Sequence, residues 1–418
     1  LDVRKPTGGD VNRKSTNLHH GVLLSDEFME LIEKATKIEG FDDSWDLVDP
    51  HSGEIKKTVS AKTLWVKLIQ NRVETGEPYI MFKDTVQEAV PEFQQNLGLT
   101  VHHSNLCSEI TLATDKDRTA VCCLSSVNLE EYDEWKDNDD FIPDLVRMLD
   151  NVIEFFINNA PDQLSRASYS AMRERSLGLG AMGFHAYLQR HSIPFESAMA
   201  KGRNLQMFGR IKGEAVRATR QLATERGECP DGEGYGVRNA HPLAIAPNAS
   251  SSIICGNTSP SIEPYRANAF TQKTKSGSSL LKNEYLEDTL QDLGYDTDDV
   301  WKSILTNGGS VQHLEFLDQW TKDVFKTAVE IDQRWVIEMA GDRQEFICQS
   351  QSLNVFFPAN ISKQELHAVH MMAWKRGVKT LYYLRSEAMK RAENVSDEVL
   401  RQYIFDSIDD EGCLACEG

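Results

Sequence analysis

The stretch Asn105-Leu106-Cys107-Ser108-Glu109-Ile110 decides how this chain is read. It sets an amide, a thiol and a carboxylate at alternate positions. In an extended backbone residues i, i+2 and i+4 share a face, so Asn105, Cys107 and Glu109 are expected to point the same way, spaced by roughly 6–7 Å. A carboxylate can take a proton, an amide can hold a hydroxyl or carbonyl, and sulfur can do nucleophilic or one-electron chemistry. The plainer alternative makes Cys107 a small buried hydrophobe flanked by solvated polar groups, and spacing alone favours it.

Further along stands Val121-Cys122-Cys123-Leu124-Ser125. Adjacent strand residues face opposite ways, and a disulfide between neighbours is strained, so at most one of Cys122 and Cys123 joins a given site. Spacing does not say which. Asn105 to Leu112 and Ala120 to Leu129 read as strand-like runs, and Ala244 to Cys255 is mixed. Helix signals alternate with them. Ser25 opens one, Leu64 to Val73 carries a second that Gly76 stops, and Phe141 to Phe156 is a third. Gly202 to Arg226 has helix-forming composition, and Ser362 with Glu365 forms a capping box before a helix that ends at Gly377. A β-rich run, Val378 to Leu384, follows at once. Helices alternating with short strands argue an α/β fold.

Several smaller motifs are ambiguous by themselves. Pro247-Asn248-Ala249-Ser250-Ser251-Ser252 is either an ordinary helix cap or a turn that offers N–H and hydroxyl groups to a phosphate. Tyr382 and Tyr383 are either two strand aromatics, one in and one out, or a redox-active pair. Gly178, Gly180 and Gly183 spell G-x-G-x-x-G, but the polar run Ser168 to Ser176 before them is no central parallel strand, so a dinucleotide fold is rejected. Cys413-Leu414-Ala415-Cys416 lacks a second pair or a nearby His, which argues against zinc and for a dithiol that carries reducing equivalents. His102 and His103 lack a carboxylate or cysteine constellation that would make them ligands, so no metal site is expected.

The 418 residues carry a net charge of −19, which disfavours binding to a phosphate polymer. The densest basic stretch, Arg4 to Lys14, is short and suits one small anion. No apolar run of ~18 residues is present, so no membrane span is expected, and no secretory signal is visible. Eight cysteines without such a signal point to thiol chemistry in a reducing, cytoplasmic setting. One globular unit is expected over residues 1–390, followed at 391–418 by an acidic, mobile tail ending in the C-x-x-C pair. The start at Leu1 suggests a chain that begins inside a larger protein.

Taken together, the pieces resemble the large subunit of class I ribonucleotide reductases, in its C-terminal catalytic portion. The resemblance rests on an ordered set: Asn-Leu-Cys-Ser-Glu-Ile at 105–110, Cys-Leu-Ser-Ser-Val-Asn-Leu at 123–129, Pro-Asn-Ala-Ser-Ser-Ser at 247–252, Ser-Pro-Ser-Ile-Glu-Pro at 259–264, Lys-Thr-Leu-Tyr-Tyr at 379–383, and the cysteine tail. It implies the C-terminal portion of a ten-stranded α/β barrel with a central finger loop. Cys107 would carry a thiyl radical and abstract the 3′ hydrogen of a ribonucleoside diphosphate. Glu109 would act as base for the 3′-hydroxyl, while Ser104 and Asn105 would contact the substrate. Cys122 would belong to the reducing dithiol, although Cys123 occupies a position where many relatives have no cysteine. Pro247, Asn248, Ala249, Ser250, Ser251 and Ser252 would hold the phosphates. Tyr382 and Tyr383 would relay the radical from a small subunit whose dimetal site, di-iron by analogy, bears a tyrosyl radical. Cys413 and Cys416 would re-reduce the site and be recharged by thioredoxin or glutaredoxin. Arg4, Lys5, Arg13 and Lys14 match the loop that communicates with a nucleoside triphosphate effector.

The resemblance further implies another large subunit as partner and no cofactor bound in this chain. The family's second active-site cysteine lies upstream of the matching region, so a companion N-terminal polypeptide is expected. Two other readings compete with this one. A cobalamin-dependent reductase shares the finger motif but needs no small subunit, and the tyrosine pair argues against it. A non-catalytic assembly fragment is the other, and the intact Cys107–Glu109 set argues against that. A glycyl-radical enzyme would want a glycine loop that Gly412 and Gly418 do not resemble.

Overall fold

Helix starts fall where the sequence supplies caps. Ser25 Oγ accepts from the Phe28 N–H at 3.2 Å and opens the helix Asp26–Lys37. Gly76, at φ +78°, closes the helix Ala61–Thr75 in the left-handed conformation that glycine adopts without penalty. Ser362 Oγ accepts from the Glu365 N–H at 3.1 Å and opens Lys363–Lys375. The third apolar segment is the helix Phe141–Asn159, and Gly202 to Arg226 lies within the longer helix Ala198–Arg226. The computed structural model describes residues 4–5, 14–15, 18–274, 277–358 and 360–386. Arg13, Cys413, Cys416 and the segment 391–418 lie outside them.

Short ladders and single bridges, not one sheet, make up a wall. Leu124–Asn128 runs parallel to Gly178–Met182, whose Leu179 bridges in parallel to Leu243. Ile245 bridges in parallel to Gln351, and Val355–Phe357 pairs in parallel with Leu384–Ser386. The direction then reverses: Thr380–Leu381 lies antiparallel to Tyr79–Phe82, which pairs in parallel with Gly21–Leu24. Helices fill the crossovers, as parallel pairing requires. The main core lies between them and the wall, where Leu179, Leu243, Ile245, Leu353 and Val355 are fully buried. A smaller apolar cluster gathers Leu286, Leu290, Trp301, Ile304 and Val311. Among the described residues the wall does not close on itself.

Three local expectations change. Gly178–Met182 is itself a buried strand. A Cβ at Gly180 would sit 2.4 Å from the Ala244 carbonyl oxygen, so glycine there allows two backbones to touch; the G-x-G-x-x-G run serves packing. Val378 to Leu384 does not form one strand: it breaks into Thr380–Leu381 and Leu384–Ser386, with both tyrosines at the break. Asn105 to Leu112 is not a strand either, and of Ala120 to Leu129 only Leu124–Asn128 is. The finger's polar groups bond to themselves and to the wall, as described next, which removes the need for a ladder partner.

Candidate active site

The segment 105–110 is a tight turn. The Ser108 N–H donates to the Asn105 carbonyl at 3.2 Å, the Asn105 N–H to the Ile110 carbonyl at 3.3 Å, and the Ile110 N–H to Asn105 Oδ1 at 3.1 Å. Ser108 is fully buried with φ +70°, a conformation that costs a non-glycine residue roughly 1–3 kcal/mol and persists only where the surroundings impose it. The surroundings are Thr380, whose Oγ1 donates to the Ser108 carbonyl at 2.8 Å, and Ser352, whose Oγ donates to the Cys107 carbonyl. The Ser350 N–H anchors the Glu109 carbonyl at 2.9 Å. Alternation along an extended strand is therefore the wrong reason for grouping Asn105 with Glu109; a side-chain hydrogen bond across the turn joins them instead.

Glu109 is buried, and burial raises its pKa above the ordinary carboxylate range. Hydrogen bonds from its own backbone, from Asn105 and from Ser352 Oγ at 3.0 Å offset part of that rise. A carboxyl poised this way can accept a proton from a nearby hydroxyl. Cys122 and Cys123 separate as adjacent residues should. Cys123 is buried in the main core and donates to the Leu149 carbonyl at 3.6 Å. Cys122 is exposed, on the side of Glu109 and Cys107. Although its surface opens to solvent, protein crowds its other sides; that desolvation, with Glu109 and Cys107 nearby, pushes its thiol up to about 12.

Tyr382 Oη lies 3.9 Å from Cys107 Sγ. The Tyr382 and Tyr383 rings are not split between two faces: their centroids are 4.4 Å apart at a 49° tilt. Tyr79 packs against both, at 4.9 Å and 5.0 Å. The chain is fixed from behind by the fully buried Arg72, which donates to the Tyr382 carbonyl at 2.9 Å and to that of Pro78. Burial raises the Tyr382 pKa, with Cys107 and Tyr383 adding to the effect, so the neutral phenol is the resting form. On the outer side the Arg385 guanidinium stands 4.1 Å from the Tyr383 ring centre.

The turn 247–252 begins two residues after Ile245, whose carbonyl takes the Ser352 N–H at 2.9 Å. Asn248 is left-handed, at φ +55°, and Ser126 Oγ donates to its Oδ1 at 3.1 Å. A short helix, Ala249–Ile254, starts there with Ser250 and Ser251 exposed. Arg4 pairs with the buried Glu77 at 3.2 Å, and Lys5 with Glu74 at 2.7 Å. Lys14 is described but Arg13 is not. Among the described residues no group of three or more His, Cys, Asp or Glu could hold a metal ion. None of their helices is long and apolar enough to cross a membrane.

The profile of the ribonucleotide reductase barrel domain matches residues 1–234 and 230–384. This chain belongs to that family. Across its whole length it is 49% identical to a protein of Frog virus 3 named putative ribonucleoside-diphosphate reductase large subunit, of which it covers 72%. It is 42% identical to the large subunit of Invertebrate iridescent virus 3, covering 74%, and 31% identical to that of Caenorhabditis elegans, covering 60%. Its fold is similar to the class Id ribonucleotide reductase alpha subunit of Actinobacillus ureae, with TM-score 0.80 and 37% identity over 92% of this chain and 67% of the other.

For a reductase barrel, sequence reasoning passed over several residues that shape this site. Ser350, Ser352 and Thr380 hold the finger, and Glu263, buried with its pKa raised by burial, accepts from Asn354 Nδ2. Asn354 Oδ1 in turn takes the Tyr383 N–H at 3.0 Å. Glu263 and Thr380 lie inside quoted motifs, so their presence was legible. Ser352 gave no signal, because it stands 243 positions from Glu109.

Proposed function

We propose that this chain carries the radical-bearing site of a class I ribonucleotide reductase large subunit, which converts ribonucleoside diphosphates to 2′-deoxyribonucleotides. The observation that supports this most is the tyrosine ladder ending on Cys107 Sγ beside a buried, hydrogen-bonded Glu109. A cobalamin-dependent enzyme would have no use for that ladder. A small subunit with a dimetal site supplies the oxidising equivalent when it docks.

In this reading Tyr383 and then Tyr382 pass the equivalent inward, and Cys107 gives its S–H hydrogen atom to the Tyr382 oxygen. The Cys107 thiyl takes the 3′ hydrogen of the ribose. Glu109 takes the 3′-hydroxyl proton, Ser104 and Asn105 contact the substrate, and the 2′-hydroxyl leaves as water. Two thiols supply two electrons and become a disulfide. Cys122 is one of the two. The 3′ hydrogen then returns from Cys107 to the same carbon, which restores the thiyl. The turn Pro247 to Ser252 holds the diphosphate, with N–H groups at the start of the short helix and the exposed hydroxyls of Ser250 and Ser251 as donors. Cys413 and Cys416 reduce the disulfide and are recharged by thioredoxin or glutaredoxin. Arg4, Lys5, Arg13 and Lys14 belong to the loop that senses a nucleoside triphosphate effector, and a second large subunit completes the assembly.

The test is deoxynucleotide formation from a ribonucleoside diphosphate by the holoenzyme, with small subunit, effector and a dithiol. Product that depends on the small subunit supports the reading. Product that instead requires adenosylcobalamin overturns it.

A further inference from the structure

An open cavity of about 790 Å³ lies where the wall segments begin. Asn239, Ala240 and Pro242 line it just before Leu243, Ile347 and Cys348 just before Ser350, and Lys379 just before Thr380. The turn 247–252, Ser352 and Tyr382 stand further along the same three segments, so the cavity and the candidate active site occupy opposite ends of the wall. The charged groups on its lining are nearly all of one sign: Lys212, Arg220, Lys375, Arg376 and Lys379 against a single carboxylate, Glu345. The chain as a whole carries −19, so this is a local reversal of its field.

Two of the five cations are accounted for locally. Lys375 and Arg376 end the helix Lys363–Lys375, where positive charge offsets the helix dipole. Lys375 pairs with Glu33, and Arg376 with Asp342 at 2.5 Å and Glu338 at 3.1 Å. Lys379 is buried and directs its three donors to the carbonyls of Ile347, Cys348 and Gln349, at 3.2, 2.6 and 2.7 Å. Burial lowers its pKa to about 8, with Lys212 acting in the same direction and Cys348 against it. Burial first, then Lys379 and Lys212, lower that of the buried His241 to about 3, so the fields of the two ammonium groups overlap here. Lys212 and Arg220 stand about two turns apart on one face of the helix Ala198–Arg226. Among the described residues neither side chain has an ion-pair or hydrogen-bond partner.

We propose that this cavity binds a small anion carrying two or more phosphate groups, with Lys212 and Arg220 as its direct ligands and Lys379 as a fixed positive charge behind them. Several like charges around one cavity repel one another, and a multiply charged anion relieves all of these repulsions at once. The volume admits a molecule of nucleotide size, and Val216, Val237 and Ile347 offer apolar surface to its organic part. The site also adjoins both anchors of the finger. Lys379 precedes Thr380, which holds the Ser108 carbonyl, and Cys348 lies two residues before Ser350, whose N–H holds that of Glu109.

The test is acetylation footprinting of the full chain, read at Lys212 by peptide mass spectrometry, with inorganic tripolyphosphate and a nucleoside triphosphate as separate probes. A footprint at Lys212 reports this cavity, whatever phosphate sites lie elsewhere. Acetylation of Lys212 should slow as the probe is added, while that of the exposed Lys116 stays constant. Arg220 is exposed, so Arg220→Gln does not threaten the fold. That variant should need about tenfold to a hundredfold more probe for half-protection, the loss of one hydrogen bond to a charged group. Protection by the nucleoside triphosphate at a lower concentration than by tripolyphosphate makes the occupant a nucleotide; otherwise it is an inorganic polyphosphate. Equal acetylation of Lys212 with and without either probe at millimolar concentration overturns the proposal. So does half-protection of Arg220→Gln at the native concentration.

Discussion

Ser352→Ala is the most informative single change near Glu109. The Ser352 hydroxyl lies 3.0 Å from the buried Glu109 carboxylate and within hydrogen-bond reach of the Cys107 carbonyl, so its one proton is shared between the two acceptors. A hydrogen bond to a charged group contributes about 1.5–3 kcal/mol. It favours the ionised form, so its loss should raise the Glu109 pKa further, by about 1–2 units at 1.36 kcal/mol per unit. A base must be ionised to act. The acid limb of the pH–rate profile should therefore move to higher pH by about 1–2 units, with turnover recovering on the alkaline side. The assay is nucleotide reduction by the holoenzyme across pH, with substrate saturating. An acid limb that stays in place, or moves to lower pH, would refute the reasoning that Ser352 tunes Glu109.

Glu109→Gln should abolish reduction and yet stabilise the fold at neutral pH. The folded-state pKa of Glu109 is raised by burial, so the unfolded chain releases this proton first and stability falls as pH rises through that window. The variant's melting temperature should exceed that of the native chain at neutral pH and match it at low pH. Cys122→Ser should lose repeated turnover while Cys123→Ala keeps it, because only Cys122 faces the finger and Cys123 is buried in the main core; equal activity of the two variants in a steady-state assay would reverse that assignment. Asp231→Ala should destabilise the chain by about 3–5 kcal/mol in denaturant unfolding, because it strands the buried Arg118, which donates to both Asp231 oxygens at 2.7 Å and 2.9 Å.

What the sequence made legible follows from how local the signals are. Caps at Ser25 and Ser362 and the stop at Gly76 depend on bonds within a few residues, and each lies where the spacing puts it. The grouping of Asn105 with Glu109 was legible, but its cause was not. Ser108 adopts a left-handed conformation only because Thr380 and Ser352, from distant segments, secure the turn. The run Val378 to Leu384 has strand propensity throughout. It splits because Tyr382 and Tyr383 bond to Leu353 and Val355 on one side, while Thr380 and Leu381 pair with Tyr79–Phe82 on the other. Cys122 and Cys123 are alike in sequence and differ only by the face each presents. His19, Glu77 and Tyr79 belong to no motif, and chain folding alone brings His19 across 364 positions to Tyr383.

The central claim is that Cys107 carries the radical that acts on the ribose. The measurement that bears on it most directly is deoxynucleotide formation by Cys107→Ser in the holoenzyme, with nucleotide binding measured on the same preparation. A serine hydroxyl is a far poorer hydrogen-atom abstractor than a thiol, while the turn that holds residue 107 is built from backbone bonds that serine keeps. The account predicts binding close to that of the native enzyme and no detectable product. Reduction at the native rate by Cys107→Ser would contradict it.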